Sequence, residues 1–236
     1  MTEKLRIASY NIRKAVGLDY RRDPMRVLQI INELEADVVA VQEVDKRLGD
    51  RPGVFDRKRV EAESDFVIAD LAQNDVSLGW HGNALLVRRG LTIHEVGHIA
   101  LPGLEPRGAV RVDVSRDDEH LAIVGTHLGL LRPYRRKQLE TIRAHLEAHE
   151  TIRTMIVGDF NEWSDGVGFE PIEGDYDIVS PGLSFHAARP MASLDKIALG
   201  SGLVLTDAGV EEGESARIAS DHLPVWADVA LVPSGG

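Results

Sequence analysis

Cysteine is absent from all 236 residues, which excludes a disulfide scaffold, thiolate zinc sites, iron–sulfur clusters and a cysteine nucleophile together. The absence fits a reducing compartment, and a cytoplasmic protein is expected. No apolar run approaches the roughly 20 residues that a membrane span needs. Met1 to Tyr10 alternate charged and apolar side chains, so no signal-peptide core is expected. Basic residues are the minority charge: 27 Lys and Arg stand against 38 Asp and Glu, a formal net charge of −11. Such a balance disfavours a long grip on nucleic acid, whose sequence-independent affinity comes from Lys and Arg on phosphates. No fixed-period repeat and no Ser/Gly/Pro-rich linker divides the chain. A single domain over residues 1–232 is expected, with 233–236 as a flexible tail. Asp50 to Ser64, polar and charge-rich around Pro52 and Gly53, reads as a surface excursion.

The remaining chain is mostly short apolar segments. Leu5, Ile7, Ser9 and Asn11 fall on one side of a first strand, with Arg6, Ala8 and Tyr10 on the other. Asp23-Pro24 starts a helix, an N-cap with proline at the first helical position, and Val27, Leu28, Ile31 and Leu34 follow at helical spacing. Val38 to Val41 is β-branched and too short for a helix, hence a buried strand. Further strands are expected at Ala84–Val87, Thr92–Val96, Ala109–Val114, Leu121–Thr126, Thr154–Val157, Lys196–Leu199, Val204–Ala208 and Val225–Ala230. A second helix follows Pro133, where Leu139, Ile142 and Leu146 recur at three- and four-residue intervals. Many strands and few helices point to two sheets rather than one doubly wound sheet.

Polar residues stand where these apolar runs end. The first strand ends at Asn11 and the second at Gln42-Glu43; later runs end at Thr126-His127 and at Gly158-Asp159-Phe160-Asn161. Ser193-Leu194-Asp195 opens a late strand, and Ser220-Asp221-His222 precedes the last one. Each alone reads as a turn or cap. Together they supply carboxylates, amides and two histidines without a thiol, a donor set suited to Mg²⁺ or Mn²⁺ and to phosphate oxygens. A histidine oriented by an aspartate is the arrangement that moves a proton to or from water. The chemistry implied is metal-assisted attack on a phosphoester.

The ordered set Ser9-Tyr10-Asn11, Val41-Gln42-Glu43-Val44, His81-Gly82-Asn83-Ala84, Gly125-Thr126-His127-Leu128, Gly158-Asp159-Phe160-Asn161, Leu194-Asp195-Lys196-Ile197 and Ser220-Asp221-His222 resembles the endonuclease/exonuclease/phosphatase superfamily. The closer likeness, through His127-Leu128-Gly129-Leu130-Leu131 and Gln138-Leu139, is to small bacterial members of unassigned substrate. The resemblance implies an α/β, or α+β, four-layered sandwich: two mixed, mainly antiparallel β-sheets packed face to face with helices outside. It implies Glu43 as the principal metal ligand, helped by Asn11 and Asp221. Asp159 and Asn161 would position the nucleophile and stabilise the pentacovalent phosphorus. His222, oriented by Asp195, would stand at the scissile phosphate, and His127 would contact phosphate or protonate the leaving oxygen. Which group is base and which acid stays open.

Ser193-Leu194-Asp195-Lys196 keeps the superfamily's aspartate with changed flanks, and the chain has little room for long basic insertions. His81, Asn83 and Arg107 are candidate substrate contacts. Arg132, Arg135, Arg136 and Lys137 gather at a helix start, where cations face the positive end of the helix dipole. That placement invites either an anionic substrate or salt bridges to nearby glutamates. His94, His98, His120, His145, His149 and His186 show no ligand spacing and are assigned surface or core roles. The leading expectation is a monomeric Mg²⁺- or Mn²⁺-dependent phosphodiesterase or phosphatase acting on a small molecule, sugar or lipid headgroup. An endonuclease or exonuclease acting on DNA or RNA, and an inactive binding module, are the alternatives.

Overall fold

Most strands of this chain are apolar on both faces, so each sheet must be covered twice, once by the other sheet and once by helices. The computed structural model describes residues 4–46, 49–117, 119–149 and 153–232, and the expected tail at 233–236 lies outside them.

The elements run in the order β1 (Lys4–Asn11), α1 (Pro24–Glu33), β2 (Val38–Gln42), α2 (Arg57–Glu63), β3 (Phe66–Ile68), β4 (Asn83–Arg88), β5 (Thr92–Leu101) and β6 (Arg107–Arg116), then β7 (Glu119–His127), α3 (Arg132–Glu147), β8 (Thr154–Asp159), β9 (Tyr176–Val179), β10 (Asp195–Gly200), β11 (Leu203–Val210), α4 (Ala216–Ala219) and β12 (Val225–Leu231). They form two six-stranded sheets, ordered β11-β12-β1-β2-β4-β3 and β5-β6-β7-β8-β10-β9. Among the described strands only β1/β2 and β7/β8 pair in parallel; the other neighbours are antiparallel. Each parallel pair is joined by a helical crossover, α1 in the first sheet and α3 in the second, as parallel strands require.

Strand alternation sorts the core into three layers of contact. Leu5, Ile7, Val38, Ala40, Leu85 and Val87 face the second sheet and meet Val110, Val112, Ile123, Met155, Val157 and Ile197. Their sequence neighbours Ala8, Tyr10, Val39, Val41 and Leu86 face outward onto Val27, Leu28, Ile31, Val60 and Ala219 of α1, α2 and α4. On the far side Val124, Ile156 and Ala198 pack on Leu139, Ile142 and Leu146 of α3. The result is the four-layered sandwich, helix–sheet–sheet–helix. Among the described residues no helix is long and apolar enough to cross a membrane.

The Asp23 carboxylate accepts the Arg26 amide at 3.0 Å, capping α1 as its sequence requires. The segment read as a surface excursion instead contains α2, capped by Asp56 through the Arg59 amide (3.2 Å). Its charged residues hide a single buried stripe, Phe55 and Val60, that packs into the α1 layer. Short β3 and β9 carry too few apolar residues to stand out from loop sequence.

Candidate active site

Both parallel pairs end at the same end of the sandwich, and this places the strand-terminal polar residues together. The register sets Asn11 opposite Gln42, His127 opposite Asp159, and Asp195 opposite Asp159. β12 runs antiparallel to β1 from Val225, so the residues just before it return to the carboxyl end of β1. There the Ser220 hydroxyl donates to the Asn11 carbonyl at 2.7 Å and accepts the His222 amide at 3.3 Å.

Asp159 is the hub. It is 1 % exposed. Its Oδ2 accepts the Asn11 Nδ2 amide at 3.0 Å and lies 3.3 Å from His127 Nε2 and 3.7 Å from His222 Nε2. Its Oδ1 accepts the Asn161 backbone amide at 2.9 Å. The Asn161 side-chain amide then donates to the Leu128 carbonyl at 2.8 Å, tying the loop after β8 to the loop after β7.

His222 holds the opposite side. Its Nδ1 is 2.7 Å from Asp195 Oδ2, the same oxygen that the Ser184 hydroxyl reaches at 2.6 Å. Burial alone would lower this imidazole's pKa. The charges of Asp195 and Asp159, the Asp195 hydrogen bond and Asp221 outweigh burial and raise it to about 10, favouring the imidazolium. Asp195 Oδ1 is buried with no hydrogen-bond partner among the described residues. Asp159, Asp195 and His222 each offer one ligand atom within 4.8 Å of the others, a separation that one divalent cation can bridge. Asp221 is half-buried and faces Arg13 at 3.5 Å.

Glu43, directly after β2, forms an ion pair with Lys14 and lines a cleft of about 280 Å³. His127, His81 and Arg107 line the same cleft, Arg107 with its guanidinium forked on Glu105 at 2.6 and 3.0 Å. Asn83 stands apart from that lining. It is buried, and its amide donates to the Gly108 carbonyl at 2.9 Å, joining the two sheets.

Several supporting residues carry no sequence signal. Ser184 and Lys14 follow no motif; they meet Asp195 and Glu43 only because loops fold over the strand ends. Lys196, which alters the expected flank of Asp195, is fully buried, its Nζ donating to Asp165 Oδ1 (2.7 Å), the Ser193 carbonyl (2.7 Å) and Ser180 Oγ (3.0 Å). The basic cluster on α3 resolves toward salt bridges. Arg132 and Arg135 clamp buried Glu162, and Arg136 lies 3.5 Å from Glu170. The remaining histidines hold scaffold contacts, such as His98 Nε2 on the Leu71 carbonyl at 2.7 Å and His94 Nε2 on Ser115 Oγ at 2.7 Å.

Both the motif order and the two-sheet fold have counterparts among known proteins. Residues 8–222 match the pattern of the Endonuclease/Exonuclease/phosphatase family. The Escherichia coli K12 protein YbhP, described as uncharacterized, is 24% identical over 244 residues, covering 96% of this chain and 96% of its own. An endonuclease/exonuclease/phosphatase family protein of Bacteroides thetaiotaomicron superposes with a TM-score of 0.78 at 17% identity, covering 98% of this chain and 99% of that one. A mannosyl-6-phosphatase of the same organism, strain VPI-5482, gives 0.76 at 16% identity over 96% of this chain and 100% of its own. With the family pattern running from the first strand to the final histidine and the two-sheet fold beneath it, this chain belongs to the endonuclease/exonuclease/phosphatase family, whose members are phosphoesterases and nucleases.

Proposed function

We propose that the protein is a divalent-metal-dependent phosphoric ester hydrolase acting on a small-molecule, sugar or lipid-headgroup phosphoester. The observation that carries this reading is the convergence on Asp159, where Asn11, His127 and the Asp195–His222 pair meet at one carboxylate. The carboxylates of Asp159 and Asp195, with Asp195 Oδ1 lacking a hydrogen-bond partner among the described residues, supply oxygen donors of the kind Mg²⁺ or Mn²⁺ takes. Glu43 is its principal ligand in this reading, with Asn11 and Asp221 assisting. When bound, such a cation offsets charge on the phosphoryl oxygens.

The chain's own groups divide the remaining work. Asp159 orients the attacking water in line with the leaving oxygen and accepts its proton as the new bond forms, and Asn11 and Asn161 hold that carboxylate still. As the new P–O bond forms and the ester bond breaks, negative charge grows on the phosphoryl oxygens. His222 Nε2 lies 3.7 Å from Asp159 Oδ2 with its Nδ1 proton held by Asp195, so beside the water that Asp159 orients it would present a positive hydrogen-bond donor to the growing charge. His127 Nε2 stands on the other side of Asp159, within reach of phosphate or leaving oxygen. The name of the mannosyl-6-phosphatase neighbour records a sugar phosphate, which supports a small phosphoester as substrate.

Hydrolysis of bis-p-nitrophenyl phosphate and p-nitrophenyl phosphate with Mg²⁺, Mn²⁺ or EDTA tests the reading. Release is expected with metal, to be abolished by EDTA, and to fall by about 10²–10³-fold in His222→Ala, the range lost with one donor to developing transition-state charge. Wild-type turnover in that variant sinks it.

A further inference from the structure

The cleft beside Glu43 and His127 holds more positive charge than its own carboxylates use. Lys14 is paired with Glu43, and Arg107 with Glu105. Asp45 turns inward, its Oδ1 accepting the Leu78 amide at 2.8 Å, and feels the Arg51 charge only across a gap longer than an ion pair. That leaves Lys46 and Arg51 on the same lining, and among the described residues neither has a carboxylate within ion-pair distance. Cations gathered at a concave wall create a local positive field, and this one sits in a chain whose total charge is −11. It therefore runs against the molecule's general field.

A second observation points the same way. His81 lines this wall with its Nδ1 buried and without a hydrogen-bond partner among the described residues. Burial, then Arg51 and His98, lower its pKa, which keeps the ring neutral and able to donate one N–H. Backbone strain concentrates here as well. Lys14, Glu43, Arg51 and His81 have φ of 57°, 58°, 52° and 48°, a left-handed conformation that side-chain-bearing residues seldom hold and that gathers at ligand clamps.

We propose that the Lys46–Arg51–His81 wall of this cleft, beside the Glu43 and His127 side, is an anion subsite that receives a second negatively charged group of the substrate, a carboxylate or a further phosphate, with Arg51 as its main contact. As a statement about substrate it rests on the phosphoesterase reading above. It narrows the class to small phosphoesters that carry at least one anionic group besides the one cleaved. A guanidinium suits either oxyanion because its planar fork matches carboxylate and phosphate alike. The cavity, about 280 Å³, is at the small end for a ligand site and matches a fragment of a few heavy atoms.

Calorimetry with benzylphosphonate and its three carboxybenzyl isomers, in Mn²⁺, reads the subsite without turnover. At least one carboxylated isomer is expected to bind about tenfold tighter than the parent, one decade of affinity. Arg51→Gln is expected to cut that advantage to about twofold or less, the loss of a charge-assisted contact. Arg59→Gln removes the same charge from an exposed position of α2 and keeps the advantage. Equal or unmeasurable affinity for all four ligands overturns the proposal, as does an equal loss in both variants. The matching benzyl phosphates separate activity from recognition. If none is hydrolysed with metal while the tenfold advantage persists, the hydrolase reading falls and the anion subsite stands.

Discussion

With its carboxylate buried between Ser184 and His222, Asp195 has one oxygen accepting two hydrogen bonds and the other accepting none among the described residues. Asp195→Asn keeps the shape but removes the charge that holds the imidazole's Nδ1 proton. Turnover is expected to fall by about 10²–10⁴-fold with secondary structure retained, checked by steady-state kinetics and circular dichroism; a loss below about threefold contradicts this positioning role. Glu162 tests a structural pair instead. Burial would raise its pKa, but hydrogen bonds from Arg132 and Arg135 win and hold it down at about 2, below its ordinary 4.5. A carboxylate with a depressed folded pKa contributes stability above its unfolded value, and that contribution is lost as pH falls through the folded one. Stability toward urea should therefore weaken between about pH 4.5 and 2 in the wild type, and Glu162→Gln should flatten that fall. At this scale the residues legible in the sequence are those that end strands: Asn11, Glu43, His127, Asp159 and, opening one, Asp195. Ser184, Lys14 and Asp165 were hidden because their partners are set by loop packing, which no local pattern records.

At the scale of elements, the two parallel pairs set the site, and Gly158 is where they are most constrained. It pairs with Thr126 between β7 and β8 at φ +153°, and a Cβ there would lie 1.9 Å from the Thr126 carbonyl oxygen. Gly158→Ala must push these strands apart immediately before Asp159. The expected result is loss of cooperative unfolding or a marked drop in melting temperature, together with loss of activity; a wild-type melting curve contradicts the clash. The cap of α1 gives a milder test. Asp23→Ala removes the acceptor of the Arg26 amide and should cost about 0.5–2 kcal/mol in chemical denaturation, leaving catalysis untouched. Strands with an unbroken apolar run, such as Val38–Gln42, and both long helices, with apolar residues at helical spacing, were readable. α2 was not, because one buried valine among charged residues gives no period. The three-residue β3 is held chiefly by pairing with β4, a tertiary fact.

For the molecule as a whole, an acidic total charge coexists with four cations lining the cleft at the site. The formal charge of −11 offers long nucleic acids little general attraction, whereas the cleft beside Glu43 gathers Lys14, Lys46, Arg51 and Arg107. Two sheets were legible because strands are many and helices few, whereas the four-layer stacking was implied only by the resemblance of the ordered motifs to the superfamily. The choice of substrate was not legible, since it depends on which loop side chains line the cleft, and a fold does not choose among reactions. In the proposed reaction a divalent cation held at Glu43 would support phosphoester hydrolysis at Asp159 and His222. A Mn²⁺ titration of bis-p-nitrophenyl phosphate hydrolysis, run on the wild type and on Glu43→Gln, tests it most directly. Saturable activation is expected in the wild type. In Glu43→Gln the metal requirement should rise at least roughly tenfold and turnover should drop by about 10²-fold or more, from the lost ligand and its charge. Equal metal dependence and equal turnover in the two proteins would contradict the claim.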